Sequence, residues 1–430
     1  MTGTPTFLVS GHDSGSPQFG SSASTNYFYN MFGANFTTNT EANAQLVTRA
    51  AGDFSRIGVL SISNTRTTAT SLKLRVNGAA VNNVASITAS TSGWFEDTTP
   101  HTDTVADGDL VCGTGLTGTG AGTMFITTTC IKFVASSGAV WYPGWASAGD
   151  SAGVNCNRIS TASQNNDVPT GGANGGTSAS DTGANAKWRI EFRGAGTMSH
   201  IHTRIITNGR STNTTFLLRV NNADGSGTVS VTSSTTGTFE DTTNSDSISA
   251  GGVVNFRWTT GTGTGNLDTL FAVGKMVGSG SKFDVINSRI NGTTGEGTSS
   301  GTNYHMAWGY TIPLTANTDV KSQISYAVTA SYLRCYVAAG NTGALTLHLQ
   351  KNGSDATLAV SITSATTGYF ADSTNTDALA DGDYINYSHG AMSSIFGFVM
   401  SYIAMSMDPG SGGGGPPANQ THRYNTVILG

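Results

Sequence analysis

The stretch "TGTFEDTTNSDSISAGG", residues 236–252, decides how the chain is read, because it is written three times. Residues 92–109 give "SGWFEDTTPHTDTVADGD" and residues 367–383 give "TGYFADSTNTDALADGD". Each version follows an apolar alternating run and a turn: "SLKLRVNGAAVNNVASITAST", "TFLLRVNNADGSGTVSVTSST" and "LTLHLQKNGSDATLAVSITSAT". The matching glycines Gly93, Gly237 and Gly368 are 144 and 131 residues apart. Such spacings are the size of a domain, not of a solenoid repeat, so one domain is present in tandem. The expected boundaries are 1–138, 139–280 and 281–410, with a flexible arm over 411–430. The second copy opens with a long polar insertion, 144–188.

Within each copy the period is two. Leu72, Leu74 and Val76 alternate with polar residues before Asn77-Gly78, and Leu345, Leu347 and Leu349 do so before Asn352-Gly353. Alternation closed by Asn-Gly is the signature of a β-hairpin, since a type I′ turn needs positive φ at both central residues. The second copy is expected to turn at Asp224-Gly225. Phe95, Phe239 and Phe370 are expected to anchor a loop to the core. "DGDLV", "AGGVVNF" and "DGDYINY" read as a tight turn into a further strand. No stretch of useful length shows a 3.6-residue apolar period. The fold class is therefore all-β, with three tandem β-sandwich, jelly-roll-like domains.

"LHLQKNG", "LADGDYINY" and "SSIFGFVM" in the third copy together resemble the jelly-roll domain of the tumour necrosis factor and complement globular-head superfamily. The resemblance covers roughly 60 residues of each copy. It departs where "DGD" becomes "AGG" in the second copy and Phe-Gly-Phe becomes "MFITT" in the first. It implies an eight- or ten-stranded sandwich with neighbouring termini and a habit of threefold assembly. Gly/Thr-rich repeats of this kind also look like those of phage virion structural proteins. The three copies could close as a single-chain pseudo-trimer, form a linear row, or trimerise as whole rows.

Composition narrows the function. Charged residues are 11% of the chain, against about 25% in an ordinary soluble protein. Apolar residues at 37% still allow a packed core. A net charge of −5 and no basic stripe speak against nucleic acid as a partner. No apolar run reaches the length of a membrane span, about 20 residues, and the first residues lack a secretory signal pattern. A Thr/Ser/Gly/Asn-rich surface suited to the outside, on a protein made in a cytoplasm, suggests a virion component released by lysis. Its expected partners are other virion proteins or copies of itself. The rival reading is a glycan-binding adhesin, with a cell-surface glycan held by Trp94, Tyr369 and Trp308.

Candidate sites are few. The acidic loops gather Glu96, Asp97, Asp103, Asp107 and Asp109, then Glu240, Asp241 and Asp246, then Asp372, Asp377, Asp381 and Asp383. Paired carboxylates suit hydrolysis or calcium, but Asp beside Gly or Thr in turns ordinarily accepts local backbone N–H groups. His200 and His202 lie two apart, on one face of an expected strand, and could meet a transition metal only if three chains met. His12, His101, His305, His348, His389 and His422 are scattered. Cys112 and Cys130 flank a Gly-rich turn near Gly120, and a hairpin there would set their sulfurs opposite one another, bonded or free. Cys156 and Cys335 have no evident partner by spacing. The Gly-rich stretches "GTGLTGTGAGT" and "TGTGTGN" lack the lysine and helix of a phosphate loop and read as hairpin tips. No catalytic residue, metal ligand or cofactor site is assigned, and the chain is expected to act by binding alone.

Overall fold

The computed structural model describes the whole chain except residues 1–2, 12–18, 21–23, 32, 35–36, 39, 98, 100, 148–156, 160–164, 170–171, 175–188, 289–301, 308–315, 341–342, 391–397 and 410–430. Alternating apolar residues and Asn/Gly turns put the first repeat into β1 (Pro5–Gly11), β2 (Asn26–Tyr29), β3 (Gly52–Asn64), β4 (Thr70–Val76), β5 (Ala79–Ile87), β6 (Gly93–Glu96), β7 (Asp103–Val105), β8 (Leu110–Thr117) and β9 (Met124–Ala135). One sheet runs β7–β3–β9–β1, with β6 also on β3, and the other runs β2–β8–β4–β5. Most successive strands change sheet, which is the jelly-roll order.

The later repeats copy it. Strands Gly196–Asn208 and Val328–Ala339 stand where β3 does, and Leu267–Gly278 and Val399–Asp408 where β9 does. Among the described residues helix is confined to Glu41–Ala44 and a 3-10 turn at Asn317–Val320. The chain is all-β: three β-sandwiches in tandem. The stretch 144–188 is in part structural, since Gly144–Ser147 and Asn157–Ile159 pair with Leu267–Gly278, and Asn165–Pro169 pairs with Val253–Thr260.

Asn77 and Gly78 both have positive φ, 51° and 81°, as do Asn352 and Gly353, 52° and 85°. These are the expected I′-like turns. The second repeat corrects the expectation. Its turn is Asn221-Asn222, at φ 50° and 71°, and Asp224 and Gly225 already lie in the next strand, Ala223–Val231. Asparagine tolerates the left-handed region, so no glycine was required.

The Gly-rich stretches are not hairpin tips. β8 and β9 belong to opposite sheets, so residues 118–123 cross between them. What holds the crossing is the fully buried Arg66. Its Nη1 donates to Gly20 O at 2.6 Å and Gly122 O at 3.0 Å, and its Nη2 to Gly118 O at 3.1 Å and Gly120 O at 2.7 Å. Arg210 does the same in the second repeat, to Gly265 O and Gly261 O. A loop that turns its carbonyls onto a guanidinium must run close to it. A Cβ on Gly122, at φ 103°, would stand 2.2 Å from Thr65 O. The same crossing separates Cys112 from Cys130. Both are buried free thiols on strands of different sheets, so the expected hairpin juxtaposition does not occur. Cys335 is also free and buried, and Cys156 lies outside the described residues.

Arg66→Ala should strand four part-buried carbonyls, of which a fully buried one would cost about 1–3 kcal/mol if unsatisfied. The expected outcome is a melting temperature lowered by many degrees, read by calorimetry. An unchanged melt would show that the clasp carries no stability.

Candidate functional site

The triplicated acidic stretch is a stitch. β5 is the outer strand of its sheet and β6–β7 the outer strands of the other, so the outward N–H groups of β5 have no strand to meet. Asp103 accepts the Asn82 and Asn83 N–H groups at 3.0 and 2.8 Å, and Asp97 accepts Val84 N–H at 3.0 Å. In the second repeat Asp246 takes Ser226 and Gly227, and Asp241 takes Thr228. In the third Asp377 takes Thr357 and Leu358, and Asp372 takes Ala359. Three matching N–H groups, two matching carboxylates, three times over. The same carboxylates also bond locally: Asp97 accepts Thr99 N–H, Asp241 accepts Thr243 N–H and Asp372 accepts Thr374 N–H. Asp109 and Asp383 close their own turns on Ala106 and Ala380. Turn chemistry therefore describes these residues, with a longer reach than the sequence disclosed. Among the described residues no group of three or more His, Cys, Asp or Glu is placed to hold a metal ion.

The second feature is a set of joints between repeats. At one position of the third strand of each repeat the chain bulges, leaving Arg56, His200 and Tyr332 at φ 57°, 50° and 53°. Arg56 Nη1 donates to Ser325 O at 2.6 Å and Asp381 Oδ1 at 2.7 Å, joining the first repeat to the third. Tyr332 lies under the Arg193 guanidinium, 3.5 Å from ring centroid to Cζ, joining the third to the second. His200 lies in the field of Arg49 and Asp107 of the first repeat. Burial, then Lys275, holds its pKa below the ordinary histidine value.

Arg49, Arg193 and Ser325 are themselves matching positions, and each is met a second time. Arg49 N–H donates to Tyr142 Oη at 3.0 Å, and Arg49 pairs bidentately with Glu240. Arg193 and Gly194 N–H groups donate to Asp284 Oδ2 at 2.8 and 2.9 Å. After Ser325, Tyr326 stacks on Phe7 with centroids 4.7 Å apart. The Asp284 pair is closed off further by Arg334 at 2.7 Å, both side chains being fully buried. Thus the first repeat touches the second, the second the third, and the third the first. Apolar packing crosses the same boundaries: Phe7 clusters with residues of the second and third repeats, and Tyr142, Leu270 and Phe271 with the first.

The remaining candidates separate. His202 is buried on Phe271, edge to face at 6.0 Å, and burial takes its pKa down to about 4. The bulge at His200 breaks the alternation, so the two histidines do not present a common face. Trp94 is half-buried and packs edge-on against Tyr384 in the joint between first and third repeats. Tyr369 is 41% exposed, and Trp308 lies outside the described residues. Two of the scattered histidines meet inside the third sandwich: His305 and His389 have centroids 5.2 Å apart, while His348 stands on the other face of the sheet, beside Ser388. Only strand register could have brought the first two together.

No protein-family model matches the chain, and no curated protein matches it. Among solved structures the chain is similar to one described as "The Triple Jelly Roll Fold and Turret Assembly in an Archaeal Virus", at 13% identity, over 85% of this chain and 82% of that one. The TM-score is 0.17, a likeness too slight to fix fold or function. No helix among the described residues is long and apolar enough to cross a membrane.

The stitch carries a pH dependence. Burial pushes the Asp372 carboxyl up, but hydrogen bonds from the Asn375 side chain and from backbone N–H groups outweigh it and bring the pKa down to about 2. Asp241 is likewise held well below the usual carboxylate range, by Thr228, Asn244 and Thr243 donors acting against burial. Groups depressed on folding stabilise above their unfolded pKa, about 4 for Asp, and lose that contribution as pH falls through the folded value. Melting temperature should be level above about pH 5 and fall between about pH 4 and 2. Asp372→Asn should melt lower at pH 6 and show a shallower acid decline. An equal decline in both proteins would remove Asp372 from this account.

Proposed function

We propose that the chain is a non-catalytic building block of a virion, such as a capsid decoration, fibre or tail part. It works as a single-chain pseudo-trimer that binds other coat proteins or further copies of itself. The observation that carries this reading is the closed cycle of joints between repeats: Arg56 on Ser325 and Asp381, Glu240 on Arg49, and Tyr332 under Arg193. A domain that assembles by threes gains from fusion, because linking turns association into an intramolecular step at high effective concentration. The habit of threefold assembly implied by the resemblance to the tumour necrosis factor and complement superfamily fits the same arrangement. The acidic loops, the feature of the sequence most suggestive of chemistry, are occupied by backbone N–H groups. A chain with only 11% charged residues is suited to packing among neighbours outside a cell.

Two measurements test this. Antibody to the chain should label density-purified particles from lysates of the producing culture; labelling of cell envelopes alone would sink the virion reading. The segment 281–410 made alone should aggregate or trimerise in light scattering, because its joint faces lose their cover. A stable, well-behaved monomer would instead mean that the three sandwiches are independent beads.

A further inference from the structure

We infer that the outer face of the third repeat is a binding groove for a neutral saccharide. This inference is independent of the virion reading and stands on a comparison the chain makes with itself. In the first repeat Arg75 lies on the outer face of β4, paired with Glu41 at 2.8 Å and 5.4 Å over the Phe28 ring. The matching residue of the second repeat, Arg219, faces Asp224 at 3.5 Å, and Arg257 reaches the same carboxylate at 3.3 Å. Two copies thus fill this face with ion pairs. In the third copy the arginine is Gln350, and the face opens into a groove of about 760 Å³. Small-ligand sites span about 300–1,000 Å³.

The groove is built from one cross-strand row and its neighbours. Tyr304, Ser388 and His348 stand side by side on adjacent strands. Gln350 stands across from Asp355. Gln350 Nε2 donates to Asp355 Oδ1 and to Ser388 Oγ, which fixes the amide and leaves its carbonyl and the exposed carboxylate as acceptors. The exposed Asp355 carboxylate is a place where a ligand hydroxyl can donate a bond that the protein does not already supply in full.

The lining selects the ligand class. No lysine or arginine lines the groove among the described residues, and Asp355 is its charged carboxylate, so a phosphate or carboxylate would meet repulsion with no counter-charge there. The polar lining leaves too little apolar wall for a lipid chain. Alternating donors and acceptors beside a phenol ring suit vicinal hydroxyls and the C–H face of a sugar.

Saturation-transfer NMR on the full chain with lactose, maltotriose, cellotriose and triacetylchitotriose supplies the test. Transfer to at least one is expected, reduced at least tenfold in Gln350→Arg, which restores the arginine–aspartate filling of the second repeat. Asp355→Asn should weaken the same sugar if Gln350→Arg fails to fold, and Leu116→Ala, on the first repeat, should leave it unchanged. Transfer to none of the four, transfer that survives both groove substitutions, or preference for a sulfated trisaccharide or spermidine would each overturn the inference. Particle labelling is read separately, so its result and this one do not confound each other.

Discussion

A β-sandwich has a free margin wherever a sheet ends, and the backbone N–H groups along it must find acceptors. Here each sandwich resolves the problem with two aspartates from the margin of the opposite sheet. The pairs Asp97/Asp103, Asp241/Asp246 and Asp372/Asp377 do in side-chain chemistry what another strand would do in backbone chemistry. Two consequences follow together. The outer strand is denied to a foreign strand, the usual hazard of exposed margins, and the two sheets are tied along the margin where residues 88–92 carry the chain from β5 to β6.

With the margins closed, the repeats meet through other faces. The backbone of each joint is the same bulge in the left-handed region, a conformation that costs non-glycine residues on the order of 1 kcal/mol, yet the side chains differ: a guanidinium on carbonyl and carboxylate, an imidazole among charges, a phenol under a guanidinium. The geometry of association has been kept while its chemistry has diverged. A homotrimer could not do this, since every substitution would appear three times around its axis.

Much of this was legible in the sequence, and the limits have physical causes. Period-two alternation and the Asn-Gly pairs disclosed strands and turns because both are local properties of the backbone. The second-repeat turn was misplaced because Asn222 adopts a glycine-like φ without being glycine. The Gly-rich crossings were misread because their shape answers to Arg66 and Arg210, some 50 residues earlier in the chain. The joints pair residues as far apart as Arg56 and Asp381, beyond any local pattern. The groove, by contrast, was partly visible: "LRVN" twice and "LQKN" once mark where the third copy departs. The meeting of His305 and His389 needed the register.

The stacking of Tyr326 on Phe7 has a consequence for how the protein is made. Phe7 leaves the ribosome before the ring that covers it, which follows about 320 residues later. At about 5–20 residues per second the interval is on the order of half a minute. Throughout it the first sandwich can fold but keeps an uncovered aromatic flank, in a cell crowded with other nascent copies. The joint between the first and third repeats therefore closes only once the third is made, since Arg56 waits for Asp381 as Phe7 waits for Tyr326.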